Sequence, residues 1–245
     1  MSSYGLIGYP LGHSFSPSYF REKFNREGIE ASYQAFQLKD ISELPVLLKA
    51  NPDLKGLNVT IPYKEAVLPY LDVLYHDAAA IGAVNCISIE SGKLTGYNTD
   101  WKGFADSLES WLQPLPEKAL VLGTGGASKA VVYALRRLGL DVAVVSRKGA
   151  EGLLGYGQLT PELVEAHPLV VNTTPLGTAP QIEEAPPFPY SLLAPHHALY
   201  DLVYNPSVTR FMLEGIARGT RAKNGHQMLV LQAEASWSIW NPGHK

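Results

Sequence analysis

Short apolar runs alternate along the chain with stretches of helical periodicity, and turn residues separate them. Tyr4-Gly5-Leu6-Ile7-Gly8 is apolar and is halted by Tyr9-Pro10-Leu11-Gly12, which predicts a buried strand entering a loop. Ser16-Pro17 reads as an N-cap followed by proline at the first helical position. Phe20 and Phe24 then lie one turn apart on one face, Glu22 and Arg26 pair on another, and Gly28 closes the helix. A strand is predicted near Tyr33 to Phe36, a helix near Leu44 to Ala50, a strand over Gly56 to Thr60, and a short helix after Ile61-Pro62-Tyr63-Lys64. Ala83 to Ile89 and Lys93 to Tyr97 read as two strands about the turn Glu90-Ser91-Gly92. Such alternation predicts a largely parallel α/β layer with its chemistry at strand ends.

The pattern changes after a helical stretch from Asp100 to Trp111. Leu120-Val121-Leu122 is apolar throughout, as suits a strand buried on both faces. Gly123-Thr124-Gly125-Gly126-Ala127 follows, then a helix from Ser128 to Leu138 ended by Gly139. Val142 to Val145 and Leu169 to Val171 are further buried strands, and Met228 to Trp240 is a closing helix. Strand, glycine loop, helix and strand in succession predict a Rossmann-like dinucleotide unit. The expected organisation is α/β: a mostly parallel first domain over 1–100, a Rossmann-like domain over 101–225, and a C-terminal helix of about 226–241 that rejoins the first. Loop signals concentrate at Asn51-Pro52-Asp53 and from Thr174 to Pro189.

Composition narrows the function classes. The 245 residues carry a formal net charge of −3, which gives no electrostatic case for nucleic acid or a membrane surface. The single cysteine, Cys86, excludes an intrachain disulfide and a cysteine metal cluster. His196 and His197 are adjacent, so their side chains are expected to point apart, and no HExxH pair exists; no metal is expected. No run approaches the ~20 apolar residues that span a bilayer. The opening residues show no basic segment before an apolar one, so no signal peptide is expected and the compartment reads as a reduced cytoplasm.

Chemistry-bearing residues gather at the predicted strand ends. Gly123, Gly125 and Gly126 let the backbone turn tightly beside a pyrophosphate, with helix N–H groups beyond. The third position of the GxGxxG pattern is Ser128, so a glycine turn without a ligand is the other reading. The second Rossmann strand ends in Ser146-Arg147-Lys148, with no acid before Glu151. Two cations there suit the extra phosphate of NADP, or are a solvated loop. In the first domain, His13-Ser14-Phe15-Ser16-Pro17 places two hydroxyls at a helix start; they suit a carboxylate, or they are an N-cap and a loop residue. Alternation puts Asn58 and Thr60 on one side of a strand, with Lys64 a turn later as a proton-exchanging group or a surface lysine. Gly82-Ala83-Val84-Asn85 and Asn98-Thr99-Asp100 add polar groups. Asp100 is an N-cap for the following helix or a partner for Lys64.

In this order the segments resemble the shikimate dehydrogenase family. The resemblance runs from Gly8-Tyr9-Pro10-Leu11 with Ser14 and Ser16, through Asn58-Val59-Thr60 with Pro62 and Lys64, to Gly82-Ala83-Val84-Asn85 and Asn98-Thr99-Asp100. It continues with the glycine loop, Asn172-Thr173-Thr174-Pro175-Leu176-Gly177, Asp201-Leu202-Val203-Tyr204-Asn205-Pro206 and Met228-Leu229-Val230-Leu231-Gln232-Ala233. It implies an NADP-dependent oxidoreductase that interconverts shikimate and 3-dehydroshikimate in aromatic amino-acid biosynthesis, in a cleft between a substrate domain and the NADP domain, as a monomer or homodimer. It further implies that Ser14 and Ser16 bind the substrate carboxylate, and that Asn58, Thr60, Asn85, Asp100 and Gln232 hold ring hydroxyls. Lys64 and Asp100 are then the catalytic pair. Gly123, Thr124, Gly125, Gly126, Ala127 and Arg147 hold NADP, with Ser146 and Lys148 nearby. Thr173 and Leu202 lie by the cofactor, and Tyr204 and Gln232 face the site from the far side.

Three features depart from the family pattern: a shorter chain, Gln227 where glycine usually precedes Met-Leu-Val, and Ser146-Arg147-Lys148 in place of Asn-Arg-Thr. A quinate or dual quinate/shikimate dehydrogenase using NAD(P) is the nearest alternative. A non-catalytic NADP sensor on the same scaffold is the more distant one, and it would be expected to have lost Lys64 or Asp100.

Overall fold

The computed structural model describes residues 2–12 and 14–243, so His13 of the serine motif lies outside the described residues. The chain divides into two compact units, one made of the residues up to Thr99 together with those from Gln232 on, the other running from Asp100 to Leu231.

Unit one contains β1 (Ser2–Gly8), α1 (Phe15–Glu27), β2 (Ala31–Gln37), α2 (Leu44–Ala50), β3 (Leu54–Val59), α3 (Tyr63–Ala66), β4 (Val73–Leu74), α4 (His76–Ile81), β5 (Cys86–Glu90) and β6 (Lys93–Tyr97). The strands form one sheet in the order β2-β1-β3-β5-β6-β4. β1 pairs in parallel with β2 and β3, while β5 runs antiparallel to both neighbours. The hairpin through Ser91 (φ 50°) and Gly92 (φ 78°) turns β5 against β6, so the layer is largely parallel, as the alternation of elements suggested, with one reversed strand. Alternation along β1 sends Ile7 into a core with Leu44, Leu57, Val59 and Tyr63 on one face. Tyr4 and Leu6 go to the other face, against Phe20, Phe24, Trp237 and Trp240.

Helix α1 starts earlier than Pro17 implies: Ser14 is the N-cap (φ −82°, ψ 140°), and Ser16 and Pro17 both lie inside the first turn. Proline is tolerated there because first-turn N–H groups lack intrahelical acceptors. Arg26 pairs with Glu27 at 2.7 Å rather than with Glu22.

Unit two opens with α5 (Asp100–Trp111) and continues with β7 (Lys118–Leu122), α6 (Gly126–Arg137), β8 (Asp141–Ser146), β9 (Leu154–Gly155), α7 (Pro161–Glu165), β10 (Leu169–Asn172), β11 (Ala198–Asp201), α8 (Arg210–Ile216) and β12 (Arg221–Lys223). Its sheet is parallel throughout in the order β12-β11-β10-β7-β8-β9. The chain therefore fills one half, returns to the middle and fills the other, which is the doubly wound Rossmann order with its reversal between β7 and β10. β7 and β10 are buried along nearly their whole length, as their unbroken apolar runs require. Helix α6 begins at Gly126, two residues before Ser128.

The last helix, α9 (His226–Trp240), has its residues from Gln232 on in unit one. There Trp240 lies flat over Gly56, where any Cβ would collide with the indole, and its Nε1 donates to Ile87 O at 2.9 Å. Among the described residues no helix is long and apolar enough to cross a membrane.

Candidate functional site

In unit one the candidate residues converge on a buried polar network. Asn58, near the end of β3, accepts from the Tyr33 phenol at 2.7 Å and donates to Asn85 O at 3.2 Å and Ser236 Oγ at 3.0 Å. Asn85 Oδ1 accepts from Thr99 N at 2.6 Å, and Asn85 Nδ2 donates to Thr99 Oγ1 at 2.9 Å and Gln232 Oε1 at 3.3 Å. Thr99 Oγ1 and Ser236 Oγ are 3.1 Å apart. The structure thus joins Asn58, Asn85 and Gln232, and brings in Tyr33, Thr99 and Ser236, which the sequence reading did not assign. Burial pushes the Tyr33 phenol well above its usual pKa, with the Ser16 hydroxyl pulling the other way, so Ser16 borders the same network.

The remaining candidates of this unit are held by backbone. The Ser14 hydroxyl donates to Leu11 O at 3.2 Å and makes no cap bond to α1. Thr60 follows β3, half-buried, with its N–H on Ile7 O at 2.9 Å. Lys64 lies half-buried in α3, where its carbonyl accepts from Val84 N at 2.7 Å. That bond fixes the backbone of Lys64 beside the Gly82–Asn85 stretch. Asp100 belongs to unit two, as the first residue of α5, and is buried.

In unit two the candidates sit at the carboxyl ends of strands. Gly123 ends β7 with φ +114°, and a Cβ there would lie 2.7 Å from Thr173 Oγ1, so glycine is required twice over. Thr173 Oγ1 donates to Leu122 O at 2.7 Å, which closes the floor of the strand-order reversal. Thr124 and Gly125 are exposed, with Gly126 and Ala127 half-exposed, and the space beside Gly125 is open. Helix α6 has Gly125 as N-cap, no side-chain cap bond and no acid in its first turn. Its first N–H groups and positive dipole end therefore suit an anion. Ser146 ends β8, and Arg147 and Lys148 follow it, both exposed. Burial raises the Tyr156 phenol and the Arg147 charge pulls it back, which places the guanidinium near that ring. These residues fit a dinucleotide carrying an extra phosphate.

Behind this loop lies a second buried network. Asp201 accepts from Asn172 Nδ2 at 2.9 Å, Val203 N at 3.0 Å and Thr209 Oγ1 at 2.5 Å. Asn172 Oδ1 accepts in turn from Thr174 N at 3.0 Å. The two residues tie down the loops that carry Thr173, Leu202 and Tyr204. Burial drives the Asp201 carboxyl up to about 6, against the hydrogen bonds that favour its charge. Gln227, the departure from the usual glycine, accepts from Lys223 Nζ at 2.7 Å and Ser107 Oγ at 3.3 Å, so its side chain lies against α5 and β12.

His196 and His197 do not point apart: their ring centroids are 4.2 Å from each other. With Glu165 they form a group of possible metal ligands. His197 Nδ1 accepts from Ala194 N at 3.1 Å and its Nε2 lies 3.1 Å from Val164 O. The backbone holds both its nitrogens, which leaves two exposed side chains and an incomplete ligand set.

A family model described as the shikimate dehydrogenase substrate binding domain matches residues 6–87. A shikimate dehydrogenase (NADP(+)) of Moorella thermoacetica is 40% identical over 256 residues, covering 96% of this chain and 86% of that protein. One from Oleidesulfovibrio alaskensis is 40% identical over 249 residues, covering 97% and 88%. Among solved structures, shikimate 5-dehydrogenase of Thermus thermophilus in complex with NADP(H) and shikimate superposes with a TM-score of 0.87 at 36% identity, covering 99% of this chain and 94% of that one.

Proposed function

The chain belongs to the shikimate dehydrogenase family, and we propose that it interconverts shikimate and 3-dehydroshikimate with NADP. The observation that carries this reading is the reach of the likeness: 96% of the chain matches an NADP-dependent relative, which takes in the residues of both units. The retained Lys64 and Asp100 favour an active enzyme over a sensor, and the retained Arg147 favours NADP over NAD.

On this reading Ser14 and Ser16 donate to the substrate carboxylate, and Thr60, Asn85 and Gln232 hold ring hydroxyls. NADP, when bound, supplies the hydride exchange at the ring carbon. The protein handles the proton: Lys64 takes it from the hydroxyl as the carbonyl forms and returns it in reverse, while Asp100 orients the ammonium. Gly123 to Ala127 lay backbone N–H groups along a pyrophosphate, and Arg147, with Lys148 beside it, meets the 2′-phosphate. Thr173, Leu202 and Tyr204 border the cofactor from the loops that Asn172 and Asp201 anchor. Cys86, buried and the single cysteine of the chain, suits a reduced cytoplasmic setting.

The direct test is reduction of NADP and NAD by the purified protein, with shikimate and quinate in parallel. Turnover of shikimate with NADP is expected. Comparable turnover of quinate or NAD would place the protein in the dual-specificity branch, and no turnover with any pair would overturn the assignment.

A further inference from the structure

Asp201 is the hub of the buried network in unit two, and the direction of each of its bonds is fixed. Thr174 N can only donate, so the oxygen of Asn172 faces it at 3.0 Å, and the amide nitrogen is left for Asp201 Oδ1 at 2.9 Å. Val203 N donates to the same carboxylate oxygen at 3.0 Å. The other oxygen, Oδ2, receives the Thr209 hydroxyl at 2.5 Å. Asn172, Asp201 and Thr209 are fully buried, and these three donors are what favours the charge of the carboxylate against its burial.

Thr209 lies outside every motif of the sequence, and its one hydroxyl serves two elements. As N-cap of α8 the oxygen accepts from Met212 N at 3.3 Å, and it gives its own proton to Asp201. Asp201 passes that hold to both loops of candidate cofactor residues. Through Val203 N it sets the turn after β11, where Leu202 N also donates to Asn172 O at 2.9 Å. Through Asn172 it reaches Thr174, whose N–H and hydroxyl both bond the Asn172 oxygen, so Thr173 is held from either side. Further along, Ala179 N donates to Asn205 O at 3.0 Å. The loops after β10 and β11 are thus tied to each other and, through Thr209, to the start of α8.

We propose that Thr209 is a positioning residue for the cofactor: its hydroxyl moors the Asp201 carboxylate to the start of α8, and the moored carboxylate holds Thr173, Leu202 and Tyr204 where NADP meets them. The inference rests on the reading of unit two as the NADP-binding part. It adds to that reading a fully buried residue that acts on NADP only through Asp201.

Two variants cut the same bond from opposite ends. Thr209→Val keeps the shape and loses the hydroxyl. Asp201→Asn keeps an acceptor for Asn172 and Val203 and loses the one for Thr209. NADP reduction is followed well above the Asp201 value of about 6, over a range of NADP and of shikimate concentrations. Each variant is expected to raise the NADP KM roughly three- to tenfold, the effect of one lost hydrogen bond, with the shikimate KM unchanged. Thr209→Ser, which retains the hydroxyl, is expected to keep the original NADP KM. The double variant is expected to be no worse than the worse single one, because the bond is lost only once. A purely structural Thr209 would lower the melting temperature and leave the NADP KM alone; that result, or additive losses, overturns the proposal. Should Thr209→Val fail to fold, an unchanged NADP KM in Asp201→Asn overturns it equally. If the unaltered protein does not turn over shikimate, the functional reading fails, and NADP affinity measured by calorimetry carries the test with the same expected ratios. No binding of NADP at all would overturn both.

Discussion

The two units hold their candidate residues in opposite ways. In unit one Asn58, Asn85 and Gln232 are buried and bonded to one another through side chains from strands, a loop and a helix. In unit two Thr124, Gly125, Arg147 and Lys148 are exposed, and the glycine loop offers mainly backbone N–H groups. The buried side-chain network there, around Asp201, contains none of the candidate ligands and anchors the loops that carry them. A small ring with several hydroxyls is distinguished by fixed donors and acceptors, which need a rigid polar wall. A dinucleotide pyrophosphate asks only for N–H groups and positive charge, which a helix end and a glycine turn supply. The contrast predicts that substitutions in the buried network of unit one act on shikimate and those at the glycine loop and Arg147 of unit two on NADP.

The largest effect tests the chemistry that both halves serve. Lys64→Ala is expected to lower kcat by roughly a hundred- to ten-thousandfold, the range of general acid–base catalysis, with little change in the KM for either reactant. Steady-state kinetics with shikimate and NADP decides it. A kcat within a factor of a few of the original would remove Lys64 from the proton step.

Acid separates the units next. The hydrogen bonds described in unit one join neutral side chains, whereas unit two buries the Asp201 carboxyl and raises it from 3.8 to about 6. The folded state therefore binds this proton more tightly than the unfolded state. Its contribution to stability is complete below the unfolded pKa of 3.8 and is lost as pH rises through about 6. The difference amounts to about 3 kcal/mol by linkage. Asp201→Asn cannot titrate. Urea unfolding is expected to show the wild-type protein gaining on the variant by about that amount between pH 7 and pH 4. Parallel pH profiles would place the acid response elsewhere.

The same contrast explains what the sequence reveals. The glycine loop, the strand before it and Arg147 after the next strand are local, so periodicity and spacing expose them along with the doubly wound order. The network of unit one is assembled across distance: Asn58 and Ser236 are 178 residues apart. Its missed members left only faint signals. Tyr33 alternates onto the buried face of a strand, Ser236 stands one turn after Gln232, and Thr99 sits inside a motif read for its neighbours. The two-residue strands β4 and β9 are too short to show a period, and they form only because β6 and β8 offer open edges. Proline at 17 misled the reading of α1, because the rule that places proline first in a helix is a preference within a turn that tolerates it throughout.

Arg147 offers the next smaller effect. Arg147→Ala is expected to raise the NADP KM roughly ten- to thirtyfold, less than a buried charge-assisted bond would because the guanidinium is exposed, while the NAD KM moves little. Equal losses with the two cofactors would assign Arg147 to general attraction and shift the phosphate contact to Lys148.

Ser14 gives the smallest effect and the sharpest reading of α1. As N-cap it has the extended backbone of a cap, yet its hydroxyl bonds Leu11 O and not an N–H of the helix. A bonded serine cap contributes about 1 kcal/mol, so its absence here predicts that Ser14→Ala barely moves the melting temperature. The hydroxyl must leave Leu11 O to donate to a carboxylate, and that exchange leaves a small net gain on binding. The shikimate KM is accordingly expected to rise only about three- to fivefold, with the NADP KM constant. A drop of several degrees in melting temperature with an unchanged shikimate KM would return Ser14 to a capping role and leave Ser16, beside Tyr33, as the carboxylate's hydroxyl on this helix.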